Sequence, residues 1–305
     1  MADFKLVTFR TASGPRAGVV LGEKVYEAAS LTGEAEHASM LGILRDWPRF
    51  RKKSMKPGKA KSVALKKAKL LAPLPEPGAI FCAGANYTDH MEEMARIQNR
   101  PPGPNMKEQG EKPWHFIKTA ASVTGPGAVV KLPAYSKAVD WEVELAAVIG
   151  RTAKDVPAEK AVDYVAGYTI ADDLSARDLS RRSALPPGNP FHFDWTAHKG
   201  FEGSCPLGPW ITPAAEVPDP QRLAIRLWVN GVLKQDSNTS RMIFSTAEQI
   251  SHLSSIATLH PGDLILTGTP AGVGTGRNEF LQPGDRVEIE IEGLGRLEHW
   301  IDDER

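Results

Sequence analysis

Glu142 and Glu144 lie one residue apart in the stretch AVDWEVELAAVIG. Val139, Trp141, Val143 and Leu145 alternate with Asp140, Glu142 and Glu144, a period of two that reads as a strand. Residues i and i+2 of a strand share a face, so both carboxylates project side by side. Adjacent negative charges are tolerable in water; in a pocket they need a cation or a shared proton. Taken alone, the pair describes a solvent-facing strand. Further along, YVAGYTIADDLSARD reads as a buried strand ending in Asp172 and Asp173. A carboxylate at that strand end could join the first two around one ion. Three carboxylates plus waters suit a hard cation such as Mg²⁺ or Mn²⁺, with Ca²⁺ a further option. No Cys or His cluster in the sequence has the spacing of a zinc site.

A base can be found nearby. In GANYTDHMEEM, a helix beginning after Asp89 places His90 and Glu93 at i and i+3 on one face. A carboxylate on one imidazole nitrogen fixes its tautomer, and the other nitrogen can then take a proton from water. The same pair on a surface helix is merely structural. Arg177 could clamp a substrate carboxylate through its two-pronged guanidinium, or simply pair with Asp173 or Asp178. Lys118, ending WHFIK, and Lys199, in AHKGFEGSCPLGPW, follow aromatic-rich stretches; if buried, each needs a negative partner. The strand LILTG delivers Thr267 and Thr269 into a turn whose hydroxyls and N–H groups could hold a carboxylate. Nucleotide binding is excluded at GVGTG, where no helix is expected to follow and no Lys completes a phosphate loop. A serine nucleophile is excluded by the absence of a GxSxG elbow. His192, His198, His252, His260 and His299 read as structural or surface residues, and Cys82 as core.

The elements that must position these groups are mostly short strands with Gly/Pro turns. The 305 residues divide into a small N-terminal α+β region over 1–72 and a main domain over 73–305. The first holds three strands in an antiparallel meander and a helix over His37–Asp46. A basic run follows (residues 49–69, ten Lys or Arg and no acid), which reads as solvated because only Phe50 interrupts it with an aromatic. The polar, Pro-rich segment 95–113 follows the His–Glu pair and reads as a lid. Asn230-Gly231 marks a type I′ hairpin, and Ser245 with Glu248 a helix capping box. No βαβ rhythm appears, so a β-rich α+β fold of mixed sheets rolled around a pocket is expected. Thirty-seven basic and 37 acidic side chains balance, giving no global argument for a nucleic-acid partner. No apolar run reaches a membrane span, no leader is evident, and two cysteines suit a reducing compartment, so cytoplasm is the expected location.

Taken in order, GANYTDHMEEM, FIK, DWEVELAAVIG, GYTIADDLSARD, HKGFEGSCPLGPW, LWVNGVLKQD and TLHPGDLILTGTPAGVG resemble the fumarylacetoacetate hydrolase family over most of the chain. The resemblance implies Glu142, Glu144 and Asp173 as metal ligands, Asp173 being chosen over Asp172 by the family pattern. It implies His90 and Glu93 as a catalytic dyad under a mobile lid, Lys199 as a catalytic lysine, and Arg177, Lys118 and Thr269 as substrate contacts. It also implies a homodimer, a small 2-oxo acid substrate and metal-dependent hydrolysis of a C–C bond in a 2,4-dioxo acid, of the kind met in aromatic catabolism. Decarboxylation of a 2-oxo diacid and isomerisation of a 2-hydroxy-dienoate are alternatives on the same site; a non-catalytic binding protein is a rival of another class. Fumarylacetoacetate-cleaving members carry a further metal-binding aspartate seven residues before the histidine, where this chain has Ala83. That departure favours the acylpyruvate and dicarboxylate branch. Ala85 stands where several relatives have Arg or Leu.

Overall fold

A computed structural model describes residues 4–101 and 103–303. Its centre is the strand Val143–Ile149, buried along its whole length between Val165–Asp172 on one side and Leu264–Leu266 on the other, both antiparallel. Alternation sends its side chains into two different cores. Leu145, Ala147 and Ile149 face a core shared with Ile225, Leu227 and Ile289 of a second sheet, whereas Ala146 and Val148 face one shared with Trp47 and Phe50. Glu144 falls on the Ala146 side, at the end of the strand where the apolar packing stops. The period of two is therefore real, but its polar face turns toward a site and not toward water.

The large sheet has twelve strands. From this centre it runs outward through Ile80–Ala83, parallel to Leu264–Leu266, to the antiparallel edge strand His115–Lys118. In the other direction it continues through Cys205–Pro213 to Lys5–Thr11, Gly14–Leu21 and Lys24–Glu27. The N-terminal meander thus extends the same sheet that carries the carboxylates, through the pairing of Leu6 with Ile211. The expected helix over His37–Asp46 is instead a 3₁₀ turn, Ala35–Ala38, and an α-helix, Met40–Arg45, divided at Ser39. The reason is local: Ser39 is extended and accepts the Gly42 N–H, which makes it an N-cap.

A five-stranded sheet packs across one face of the large one. It contains the hairpin Ala224–Val229/Val232–Asn238, followed by Arg286–Ile291, Gly295–Asp303 and the parallel edge strand Val129–Leu132. Asn230 and Gly231 both have positive φ, as a type I′ turn requires. Ser245 and Glu248 form the expected capping box of the helix Thr246–Ile256. Among the described residues, no helix is long and apolar enough to cross a membrane. The result is a β-rich α+β fold of mixed sheets, with the site at the end of the central strand.

Candidate active site

The strand reading of AVDWEVEL needs one correction. Strand pairing breaks after Asp140 and resumes at Val143, so Trp141 and Glu142 lie in an irregular step. Two backbone ties hold this step: the Asp173 N–H donates to the Glu142 carbonyl (2.9 Å), and the Glu142 N–H donates to Asp172 Oδ1 (2.8 Å). Asp172 turns its other oxygen away from the site to His299 Nε2, 2.8 Å distant on the second sheet. Asp173 is left facing the glutamates. Ligand oxygens of Glu142, Glu144 and Asp173 all lie within 4.8 Å of one another, and all three residues are buried.

Three cations surround the carboxylates. Lys199 Nζ bridges Glu142 Oε2 (2.7 Å) and Asp173 Oδ2 (2.6 Å). Lys118 Nζ, fully buried, donates to Asp173 Oδ1 (2.6 Å) and to the Leu174 carbonyl. Arg177 spans Asp140 Oδ2 (2.8 Å) and Glu142 Oε1 (2.5 Å). Lys199 ends a short helix, Trp195–Lys199, whose start is capped by Asp194 accepting the Ala197 N–H. Its carbonyl accepts from the Ser204 hydroxyl, which fixes the turn after it.

Placement sets the charge state of each group. Burial works against ionisation of Glu142, but Lys199 and Arg177 outweigh it and hold that carboxyl well below the usual range. Glu144 has no such neighbour. Burial and the charges of Asp173 and Glu142 push it well above the usual range, opposed only by Lys199 and the Gly268 N–H, which donates to Glu144 Oε2 at 2.6 Å. Burial would also discharge Lys199; Asp173 and Glu142 keep it protonated. The donor set fits a hard divalent cation: it is all oxygen, closely converging and buried, and it contains one carboxyl whose charge is repelled until a cation relieves it.

His90 and Glu93 stand on the helix Thr88–Ile97. His90 Nδ1 is 3.8 Å from Glu93 Oε2 and buried without a hydrogen-bond partner. Glu93 instead accepts the Gly272 N–H at 2.9 Å. Gly272 has φ +101°, and a Cβ there would stand 2.1 Å from the Lys234 carbonyl oxygen. Only glycine, then, lets the 268–276 loop pass this close to the strand Val232–Asn238. Gly268, at φ +97°, is similarly constrained against Asn86.

A cavity of about 170 Å³ opens above the carboxylates, and His90, Glu142, Arg177, Lys199 and Thr269 all line it. Lys118 does not; it reaches Asp173 from behind. Glu93 likewise stands behind His90. Thr269 Oγ1 accepts from Gln235 Nε2 (2.9 Å), and Gln235 Oε1 accepts the Val143 N–H (3.0 Å), which ties the threonine loop to the central strand. Sequence reasoning passed over Gln235. It also passed over Asp140, which accepts the Gly274 and Thr275 N–H groups as well as the Arg177 guanidinium. Asp140 lies two residues before Glu142 on the same alternating face, and that alternation was the available signal. His198, read as structural or surface, is a buried part of the cavity wall with neither ring nitrogen partnered. Burial and the nearby Lys199 and Arg177 charges lower its pKa to about 2, so the ring is neutral.

The family model for the C-terminal domain of fumarylacetoacetate hydrolase matches residues 79–302. The chain belongs to the fumarylacetoacetate hydrolase family. Its members include hydrolases, isomerases and tautomerases acting on small molecules. Human mitochondrial oxaloacetate tautomerase is 44% identical over 228 residues, 74% of this chain and 67% of that protein. Among solved structures, fumarylacetoacetate hydrolase from Exiguobacterium antarcticum superposes with a TM-score of 0.80 at 30% identity, over 98% of this chain and 99% of that one. Maleylpyruvate hydrolase from Sphingobium sp. SYK-6, in complex with manganese(II) and pyruvate, has a TM-score of 0.77 at 30% identity, over 99% and 100% of the two chains. Enzymes of the fumarylacetoacetate hydrolase family use divalent metals, and this chain has a buried acidic triad, Glu142, Glu144 and Asp173.

Proposed function

We propose that this chain catalyses divalent-metal-dependent hydrolysis of a carbon–carbon bond in a 2,4-dioxo acid. One observation carries the reading: His90, whose Nδ1 faces the Glu93 carboxylate at 3.8 Å, lines the same small cavity as Glu142 and Lys199. Glu142, Glu144 and Asp173 would hold Mg²⁺ or Mn²⁺, which as a Lewis acid supplies stabilisation of enolate charge. Glu93 sets the orientation of His90, and His90 takes a proton from water. The hydroxide adds to the C4 carbonyl, the C3–C4 bond breaks, and its electron pair stays on C3 as the enolate of pyruvate. His90 returns the proton to C3, so one water is consumed and two acids leave. Lys199, which lines the same cavity, stabilises the oxyanion developing at C4 in this reading, the kind of preorganised charge that lowers such barriers most. Lys118 positions Asp173 from behind, and Arg177 and Thr269 form the wall against which the substrate head lies.

A second reading is favoured by the 44% identity to an oxaloacetate tautomerase. Proton transfer between C3 and the C2 oxygen, with no bond cleaved, uses the same His90 and the same enolate. Product identification separates the two. With Mg²⁺ present and an acylpyruvate supplied, hydrolysis yields pyruvate and a second acid in equal amounts. Loss of the enol absorbance without pyruvate release means tautomerisation, and CO₂ release from a 2-oxo diacid means decarboxylation; either result, with no second acid, overturns the hydrolase reading.

A further inference from the structure

The cavity lining combines two unlike sets: His90, Glu142, Arg177, Lys199 and Thr269 on the one hand and Trp114, Phe116, Trp195 and His198 on the other, meeting where Lys199 Nζ lies 5.0 Å from the Phe116 ring centroid. The aromatic side is a continuous wall. Trp195 stacks on Phe116 with ring centroids 5.4 Å apart and meets Trp114 at 4.8 Å, and Phe193 extends the wall outward at 6.1 Å from Trp195. Trp114 is 47% exposed and Phe193 48%, so apolar ring surface continues from the cavity to its mouth. Large aromatic surface left open beside a buried polar cluster marks a binding site.

The cations that line the cavity are paired with its carboxylates. Lys199 bridges Glu142 and Asp173, and Arg177 bridges Asp140 and Glu142. These are the cations among the cavity-lining residues. Outside the lining, the Arg182 guanidinium is held by Asp194, while Arg181 lies over the Phe193 ring, 5.8 Å from its centroid. Among these rings stands His198, whose imidazole leans against Trp195 at 5.5 Å. Its nitrogens are buried and unpartnered. A neutral imidazole there can donate to an uncharged carbonyl or hydroxyl oxygen, but it does not compensate a full negative charge.

We propose that the substrate carries an apolar or aryl group at the end distal to its 2-oxo head, which lies against the wall formed by Trp114, Phe116 and Trp195. This inference rests on the 2-oxo acid reading above and narrows it. Against Trp114, Phe116 and Trp195 a carboxylate loses water that an apolar group does not need, while Lys199, 5.0 Å over the Phe116 ring, is held by Glu142 and Asp173 and Arg181 lies further out over Phe193. A small ring or short acyl chain gains by the same burial. An apolar cavity of about 150 Å³ is known to hold a benzene-sized ring, and the 170 Å³ here, open at its aromatic end, accommodates a compact head with the distal group running toward Trp114. Maleylpyruvate and oxaloacetate, named for two relatives, both carry a second carboxylate.

The test uses two inert 2-oxo acids with a common head, 2-oxo-4-phenylbutanoate and 2-oxoglutarate. Each is titrated into the full-length protein with saturating Mg²⁺, with binding followed by calorimetry and by tryptophan fluorescence. The phenyl ligand is expected to bind at least about tenfold more tightly, equivalent to 1.4 kcal/mol or more. Trp195→Ala is expected to weaken the phenyl ligand by about tenfold or more and 2-oxoglutarate by less than about threefold. Ala85→Arg, which places a cation at an exposed position in the cavity lining, is expected to move the preference toward 2-oxoglutarate. Equal or tighter binding of 2-oxoglutarate to the parent protein overturns the inference, as does equal weakening of both ligands by Trp195→Ala. Removing Mg²⁺ with EDTA separates this failure from that of the underlying reading. If neither ligand depends on the metal, or neither binds, the 2-oxo acid reading fails and the inference falls with it. If both depend on the metal but the diacid wins, only the distal-group inference is lost.

Discussion

Asp173→Ala and Glu144→Gln should both abolish divalent-cation binding, yet they should move stability in different directions. Asp173 is the shared anchor of Lys118 and Lys199, at 2.6 Å from each. Without it, Lys118 keeps only the Leu174 carbonyl, and it is fully buried. Removing one member of a buried ion pair costs about 3–5 kcal/mol, because the remaining charge has neither water nor partner. Glu144 is the opposite case. Among its described contacts is no cation within ion-pair distance, and the negative charges of Asp173 and Glu142 repel its own. An amide of the same shape can still accept the Gly268 N–H. Glu144→Gln in metal-free protein should therefore lie within about 1 kcal/mol of the parent or above it. Urea denaturation with and without EDTA, alongside Mn²⁺ titration followed by paramagnetic resonance, measures both quantities. Equal destabilisation by the two variants would contradict the charge assignment.

His90→Ala should lower kcat by about 10²–10⁴-fold while leaving Mn²⁺ affinity within about threefold. The ring lines the cavity but contributes no ligand to the carboxylate cluster. Glu93→Gln should have a smaller effect of the same kind, because Glu93 touches His90 and not the cavity: Nδ1 and Oε2 are 3.8 Å apart, and Glu93 is otherwise held by the Gly272 N–H. Wild-type turnover by His90→Ala on the same substrate would place the base elsewhere.

The triad was legible because strand alternation is a local signal. Glu142 and Glu144 share a face by period, and Asp173 follows a buried apolar run. What the alternation could not convey is the environment of that face. A polar side on a half-buried strand reads as solvent-facing, and only the partner strands show that Val143–Ile149 is buried on both sides. The choice between Asp172 and Asp173 came from family resemblance; its physical basis is His299, far away in sequence, which takes the Asp172 carboxylate. The same holds for the aromatic wall. Trp114 and Phe116 come from one edge strand and its approach, and Trp195 comes from a helix beyond a long irregular segment. No periodicity links them. His198 was set aside because a lone histidine beside a lysine carries no pattern, and its role follows from burial alone. The split helix near Ser39 shows the reverse limit: the capping residue was in view, but the apolar pattern on either side of it reads as continuous.

The most direct test of the metal centre is anomalous diffraction from crystals grown with Mn²⁺ and oxalate, a small chelating mimic of the 2-oxo acid head. One strong manganese peak is expected about 2.1–2.4 Å from carboxylate oxygens of Glu142, Glu144 and Asp173, with oxalate completing the coordination on the His90 side of the cavity. Absence of a peak there, with Lys199 still bridging Glu142 and Asp173 and manganese bound only elsewhere on the surface, would contradict it.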